Sequence, residues 1–98
     1  MSADNGIYIL ESEGPEWRVV HAQAIENINW NPETRTTCDS SFFNNDELKS
    51  YFGRCEVFTS KDDAVRAALA IEGEIAQSDF PVLEYGISFI HLPRKFPV

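Results

Sequence analysis

The chain has 98 residues, and its 16 Asp and Glu outnumber its 8 Lys and Arg, which gives a formal net charge of −8. A surface this acidic repels nucleic-acid phosphates and anionic membranes and attracts basic proteins, so we expect no direct binding to nucleic acid or to a membrane. The length allows one domain, residues 1–98, and neither a membrane span nor a secretory signal is visible, so we expect a cytoplasmic protein.

The first elements in chain order are two short β-rich runs. Residues 6–10 are β-branched, aromatic and otherwise apolar, which is typical of a strand. Residues 17–23 resume this character, with Trp17, Val19 and His21 on one face of the strand. The polar turn between the two runs contains Gly-Pro, so the strands are predicted to form an antiparallel hairpin.

A long polar segment follows the hairpin. Residues 24–28 fit either one helical turn or the end of the second strand, and periodicity over so few residues does not separate the two. Residues 29–41 are rich in Asn, Thr, Ser, Asp and Pro and are predicted to form a loop, the longest irregular segment of the chain. Long loops in compact domains are either functional or mobile.

Two helices are predicted in the second half of the chain. Residues 44–53 carry an Asn or Asp N-cap, acidic residues in the first turn and a closing Gly53. Ser60 and Asp63 fit a capping box at the start of a second helix, which continues to residue 77. Alanines and isoleucines at helical spacing form the predicted core-facing stripe of this helix. They are Ala64, Ala68, Ile71 and Ile75.

Two further strands, at residues 55–59 and 82–92, flank the second helix, and the element order is therefore ββαβαβ. This order predicts an α+β fold in which a four-stranded, mostly antiparallel sheet carries two helices packed on one face. The unit from 55 to 92 fits either a parallel crossover or an antiparallel placement of the last strand, and the sequence leaves both open. The basic tail, residues 93–98, is expected to be flexible.

Motifs for catalysis and metal binding are missing from the sequence. It has no glycine-rich phosphate loop, no Gly-x-Ser-x-Gly, no Cys-x-x-Cys and no His-Glu-x-x-His. The cysteines and histidines that a zinc site would use are Cys38, Cys55, His21 and His91. These lack the closely spaced ligand pairs of structural zinc sites. We therefore expect no metal, no cofactor and no catalytic residue, and we expect that the protein is not an enzyme.

The acidic residues suggest a surface for binding another protein. Residues 1–93 carry all 16 acidic residues and only 6 basic ones. Such a surface fits a basic groove on a partner, where it stands in for nucleic-acid phosphates, although plain solubility also explains the charge. Three aromatic residues in or beside the loop add interface anchors, or else fold back onto the core. The candidate partner-binding residues are Glu11, Glu13, Glu16, Trp30, Phe42, Phe43, Asp62, Asp63, Glu72 and Glu74.

A second hypothesis is a small-molecule or nucleotide binding module, with a pocket between the sheet and residues 29–43. The candidate pocket residues are His21, Gln23, Glu84 and Tyr85. Under either hypothesis a homodimer is plausible, because an open sheet edge and exposed aromatic side chains favour self-association.

Four patches of the sequence resemble a group of small uncharacterised proteins of bacteriophages and prophages. They are ADNGIYIL at 3–10, RVVHAQAIEN at 18–27, Val57-Phe58 with the alanine-rich helix after it, and LEYGI at 83–87. The resemblance implies a phage accessory protein that acts in the bacterial cytoplasm. Together with the acidic surface, this gives the first hypothesis, a non-enzymatic protein that binds a host or defence protein and acts as its inhibitor. The resemblance assigns no functional residue.

Overall fold

The computed structural model describes residues 5–23, 38–39 and 44–97, and of residues 38–39 the backbone alone. The elements in chain order are β1 (Asn5–Ser12), β2 (Glu16–Gln23), β3 (Cys38–Asp39), α1 (Asn45–Phe52), β4 (Val57–Phe58), α2 (Lys61–Ala76) and β5 (Ile87–Leu92). The short strand β3 lies inside the predicted loop, so that prediction is wrong at these two positions. The predictions for residues 24–37 and 40–43 fall outside the described residues.

The described strands form one mixed sheet in the order β3-β5-β1-β2-β4. β1 and β2 pair antiparallel from Asn5 opposite Gln23 to Ser12 opposite Glu16, which confirms the predicted hairpin. β2 also pairs antiparallel with β4, whereas β5 runs parallel to β1. The α+β class and the predicted element order are therefore confirmed, and the four predicted strands pair mostly antiparallel. The additional strand β3 pairs parallel with β5.

The central strand β1 is buried on both faces of the sheet. Ile7 and Ile9 point to one face, where they pack against Ala64 and Ala68 of α2. The alternate residues, Tyr8 and Leu10, point to the other face and pack with Leu48 and Phe52 of α1. The two helices therefore lie on opposite faces, and the prediction that both pack on one face is wrong. The physical reason is the unbroken apolar run of β1, a pattern typical of strands covered on both sides.

The predicted helix starts are confirmed in detail. The side chain of Asn44 accepts a hydrogen bond from the backbone N–H of Glu47 at 2.8 Å. The hydroxyl of Ser60 accepts one from the N–H of Asp63 at 3.2 Å. Each cap satisfies a donor that the first turn of its helix leaves free. Neither described helix has the length and apolar character needed to cross a membrane.

The last strand is shorter than predicted. Strand pairing begins at Ile87, and residues 81–86 form an irregular segment before it. Gly86 has φ of +63°, a left-handed conformation that interrupts an extended strand. α2 thus connects two strands that both run parallel to β1 and that are separated in the sheet by β1 and β2. This is the crossover alternative, with the last strand beside β1.

A glycine in the middle of α2 generates a stability prediction. A Cβ added to Gly73 would meet no atom within 4 Å. We expect Gly73→Ala to raise the free energy of unfolding by about 0.5–1 kcal/mol, because glycine is a poor helix former. Gly86→Ala should lower it, because an L side chain is strained at positive φ. Urea unfolding followed by circular dichroism measures both, and a less stable Gly73→Ala variant would contradict the prediction.

Candidate interaction surface

The seven acidic residues among the candidate partner-binding residues lie at two opposite ends of the sheet. β1 runs from Asn5 to Ser12, and β5 runs the same way, so the β1–β2 turn and the end of β5 share one end. We call this the hairpin end. α2 begins at the hairpin end, because it follows β4, and β4 pairs with the start of β2. The helix then runs to the opposite end, where β5 begins. The second end, formed by residues 70–87, is here called the acidic end.

The hairpin end holds five of the candidate partner-binding residues. They are Glu11, Glu13, Glu16, Asp62 and Asp63. Basic groups lie among them. Arg18 is only 9% exposed, and its Nη1 lies 3.1 Å from Oε2 of Glu16 and 3.4 Å from the Ser12 hydroxyl oxygen. His91 Nδ1 lies 4.0 Å from Oε2 of Glu11.

The C-terminal tail adds further positive charge to the hairpin end. The carbonyl of Arg94 accepts a hydrogen bond from the N–H of Glu13 at 3.3 Å. The ring of Phe96 lies 3.9 Å from the Arg18 guanidinium and packs against the core. Lys95 and Phe96 line a cavity of about 450 Å³ together with Glu13, Glu16 and Arg18. The sequence predicted a flexible tail, and in the structure residues 94–96 contact the domain.

Cys55 is half-buried and lies near Arg18. Its thiol donates to the backbone carbonyl of Tyr51 at 3.7 Å. Burial raises the pKa of the Cys55 thiol, and the positive charge of Arg18 opposes part of that rise. The thiol is therefore held in its protonated, weakly nucleophilic form.

The acidic end has a different charge balance. Glu72, Glu74 and Asp79 are exposed there, and no ion pair of the described residues includes them. The sequence contains no Lys or Arg between Arg66 and Arg94. Among the described residues, no Lys or Arg therefore forms an ion pair with Glu72, Glu74 or Asp79.

A shallow groove of about 310 Å³, lined by both polar and apolar atoms, opens at the acidic end between the last turn of α2 and the segment that leads into β5. Its lining residues are Glu72, Ile75, Ala76, Pro81, Leu83, Gly86 and Ile87. Two large apolar side chains nearby along the chain remain in contact with solvent, Leu69 at 50% exposure and Phe80 at 53%. The groove thus places the apolar side chains of Ile75, Leu83 and Ile87 beside the carboxylate of Glu72.

Asn5 holds the segment before β5 against the sheet. Its Nδ2 donates to the carbonyl of Val82 at 3.0 Å, and its Oδ1 accepts from the N–H of Glu84 at 3.0 Å. The backbone N–H of Tyr85 donates to the Asn5 carbonyl at 2.9 Å. His21 Nε2 lies 3.0 Å from the same Nδ2. Both polar atoms of the Asn5 side chain therefore hydrogen-bond to the backbone of residues 82–84, and we call these contacts of Asn5 the clamp.

The four predicted pocket residues therefore meet around this clamp. His21, Glu84 and Tyr85 are joined through Asn5, and Gln23 stands opposite Asn5 in the β1–β2 register. None of the four lines either of the two cavities described above. The contacts of His21, Glu84 and Tyr85 with Asn5 hold the chain in place, which is a structural role.

Other predicted site residues cannot be placed in the same way. Trp30, Phe42 and Phe43, together with the predicted pocket beside residues 29–43, fall outside the described residues. Within residues 5–23 and 44–97, no three His, Cys, Asp or Glu side chains form a group that could hold a metal ion.

Comparisons with protein-family models, with curated proteins and with solved structures found no match to this chain. The candidate surface is therefore interpreted from its own chemistry. Glu72 is one of the predicted partner-binding residues, but the groove beside it was not predicted, although the sequence contains a feature that indicates it. The absence of Lys and Arg over residues 67–93, combined with an apolar helix–turn segment, marks this region.

The clamp generates a prediction. We expect Asn5→Ala to lower the free energy of unfolding by about 1–3 kcal/mol, because the Val82 carbonyl and the Glu84 N–H lose their partner. His21→Ala should change it by less than about 0.5 kcal/mol, because this side chain is exposed. Urea titration measures both variants, and equal effects would contradict the role given to Asn5.

The raised pKa of Cys55 generates a second prediction. In a Cys38→Ala background, the rate of alkylation by iodoacetamide should rise with pH at a higher midpoint in the folded protein than in urea. Since the folded state favours the neutral thiol, this contribution to stability is complete below the pKa of the unfolded chain and is lost as the pH rises from there through the raised pKa of the folded protein. Coincident midpoints would contradict the prediction.

Proposed function

We propose that this protein is a non-enzymatic binding protein that recognises a basic surface of another protein through its acidic end. The observation that carries the proposal is the segregation of charge, since Glu72, Glu74 and Asp79 lie exposed within a stretch of sequence, residues 67–93, that contains no Lys or Arg. At the hairpin end, Arg18 and the tail already lie against the acidic residues. A basic partner that binds the hairpin end would have to displace these cations, whereas the described residues of the acidic end place none there.

The position of these charges on α2 supports the proposal. Glu74 lies in the last turn of the helix, Glu72 just before it and Asp79 just after it, and the last turn contains no basic residue. The C-terminal end of a helix carries partial negative charge, so acidic side chains there cost stability. Folding alone does not explain them, whereas contact with a cationic partner does.

The nature of the partner follows from the charge and from the sequence resemblance. A net charge of −8 disfavours nucleic acid as a direct ligand and favours a basic protein. The resemblance to phage proteins makes a host or defence protein of the bacterial cytoplasm the proposed target. Occupying a basic groove that otherwise holds nucleic acid would make this protein an inhibitor.

The test compares two variants that each remove three charges. One is Glu72→Gln, Glu74→Gln, Asp79→Asn, and the matched control, elsewhere on the exposed surface, is Glu13→Gln, Asp46→Asn, Glu56→Gln. A partner captured from bacterial lysate is identified, purified and titrated against each protein. We expect the first variant to bind at least about tenfold more weakly and the control less than about threefold.

Two further readouts make the test decisive. Affinity of the unmodified protein should fall as salt rises, because exposed charges are screened. The variant at the acidic end should be at least as stable as the unmodified protein, because it removes charges that oppose the helix dipole. Binding that is indifferent to salt, or equal loss in both variants, would overturn the proposal.

A further inference from the structure

The groove at the acidic end has the size and lining of a pocket for one side chain. Its volume of about 310 Å³ is at the lower end of the range for ligand pockets. Ile75, Leu83 and Ile87 form apolar walls, and all three remain half-exposed beside it. The described fold therefore leaves apolar surface at this place that an incoming side chain would bury.

Three exposed residues near the end of α2 are small, and they lie beside the large exposed side chain of Leu69. Ala70, Gly73 and Ala76 are exposed, and Ala76 belongs to the groove. No contact within the described structure requires glycine at position 73, where an added Cβ meets nothing within 4 Å. A glycine that lowers helix stability without an internal reason is consistent with close approach of a partner backbone.

The rim of the groove sets the charge of what enters it. Glu72 lines the groove, whereas Glu74 and Asp79 are near it in sequence without lining it, and no ion pair of the described residues includes any of the three. A groove with apolar walls beside a carboxylate is complementary to an apolar side chain flanked by cations. This arrangement matches interfaces in which one anchor residue fills a pocket while polar contacts surround it.

We infer that this groove binds a segment of the partner protein in which one bulky apolar side chain is flanked by Lys or Arg. The inference rests on the proposed function and names the feature that the acidic end recognises. The tail of a second copy, with Arg94, Lys95 and Phe96, has the same chemistry. Phe96, however, is already packed against its own core with Arg18 over its ring, so we assign the groove to a different protein.

The experiment uses short synthetic peptides and the full-length, isotope-labelled protein. The probe peptide carries Lys and Arg around one central Phe, and the control peptide has Ala in place of Phe. We expect amide resonances of residues 69–87 to shift on titration with the probe. The control peptide should bind at least about tenfold more weakly, because it lacks the anchor.

A pair of protein variants tests the groove itself. Ala76→Trp fills the groove from an exposed helix position, and Ala70→Trp places the same side chain on α2 outside the lining. We expect Ala76→Trp to weaken binding of the probe at least about tenfold and Ala70→Trp to leave it unchanged. The dispersion of the amide spectrum confirms that both variants fold.

Each other outcome overturns the inference and bears differently on the proposed function. Equal binding of both peptides would show recognition of charge alone, so the proposed function would stand without the groove. Shifts at Glu13 and Glu16 would move recognition to the hairpin end. A dimer that dissociates in Ala76→Trp, measured by sedimentation, would assign the groove to a second copy. Loss of every peptide, together with salt-independent capture of the partner, would overturn both proposals.

Discussion

Burial of β1 on both of its faces is the constraint from which the rest of the architecture follows. Residues Ile7 to Leu10 are at most 3% exposed, and each large apolar side chain buried in this way contributes about 1.5–3 kcal/mol. One strand cannot cover itself, so both faces need a helix and both edges need a neighbouring strand. α1, α2, β2 and β5 meet those four requirements.

This arrangement also determines where charge can lie. With both faces of the sheet covered, ionised side chains are left at the ends of the strands and on the outer surfaces of the helices. Arg18 is the exception, and it is accommodated because Glu16, Ser12 and Phe96 surround its guanidinium. A buried cation without such partners would carry a large desolvation cost. The end that contains Arg18 therefore acquires a mixture of charges, whereas residues 70–87, which form the opposite end among the described residues, include no Lys or Arg.

Local signals in the sequence predicted local structure well. Asn44 and Ser60 as helix caps, the hairpin and the facing of β2 are confirmed because each depends on residues near one another in the chain. The placement of the helices depended instead on the face that each strand residue occupies. The unbroken run from Ile7 to Leu10 contained the information for two covered faces.

Long-range hydrogen bonds explain what sequence reasoning could not reach. Residues 82–86 have strand-like composition, but Asn5 binds Val82 and Glu84 through its side chain and Gly86 adopts positive φ, so strand pairing starts later. A bond between residues 77 or more positions apart leaves no periodic trace in the sequence. The groove at the acidic end depends on this same clamp. Its walls come from both α2 and the clamped segment, so neither part of the sequence indicates it alone.

The contrast between the two ends of the molecule favours recognition at the acidic end over charge that serves solubility alone. Charge retained for solubility can lie anywhere on the surface, and helix stability would then place cations, not anions, at the end of α2. Instead the basic tail lies against the hairpin end, where the Glu13 N–H donates to the Arg94 carbonyl and Lys95 lines a cavity together with Glu13 and Glu16. At that end, acidic side chains and the Phe96 ring, which packs against Arg18 and the core, lie close together. The acidic end offers the same combination of negative charge and apolar surface, and within the described residues no part of the chain occupies it.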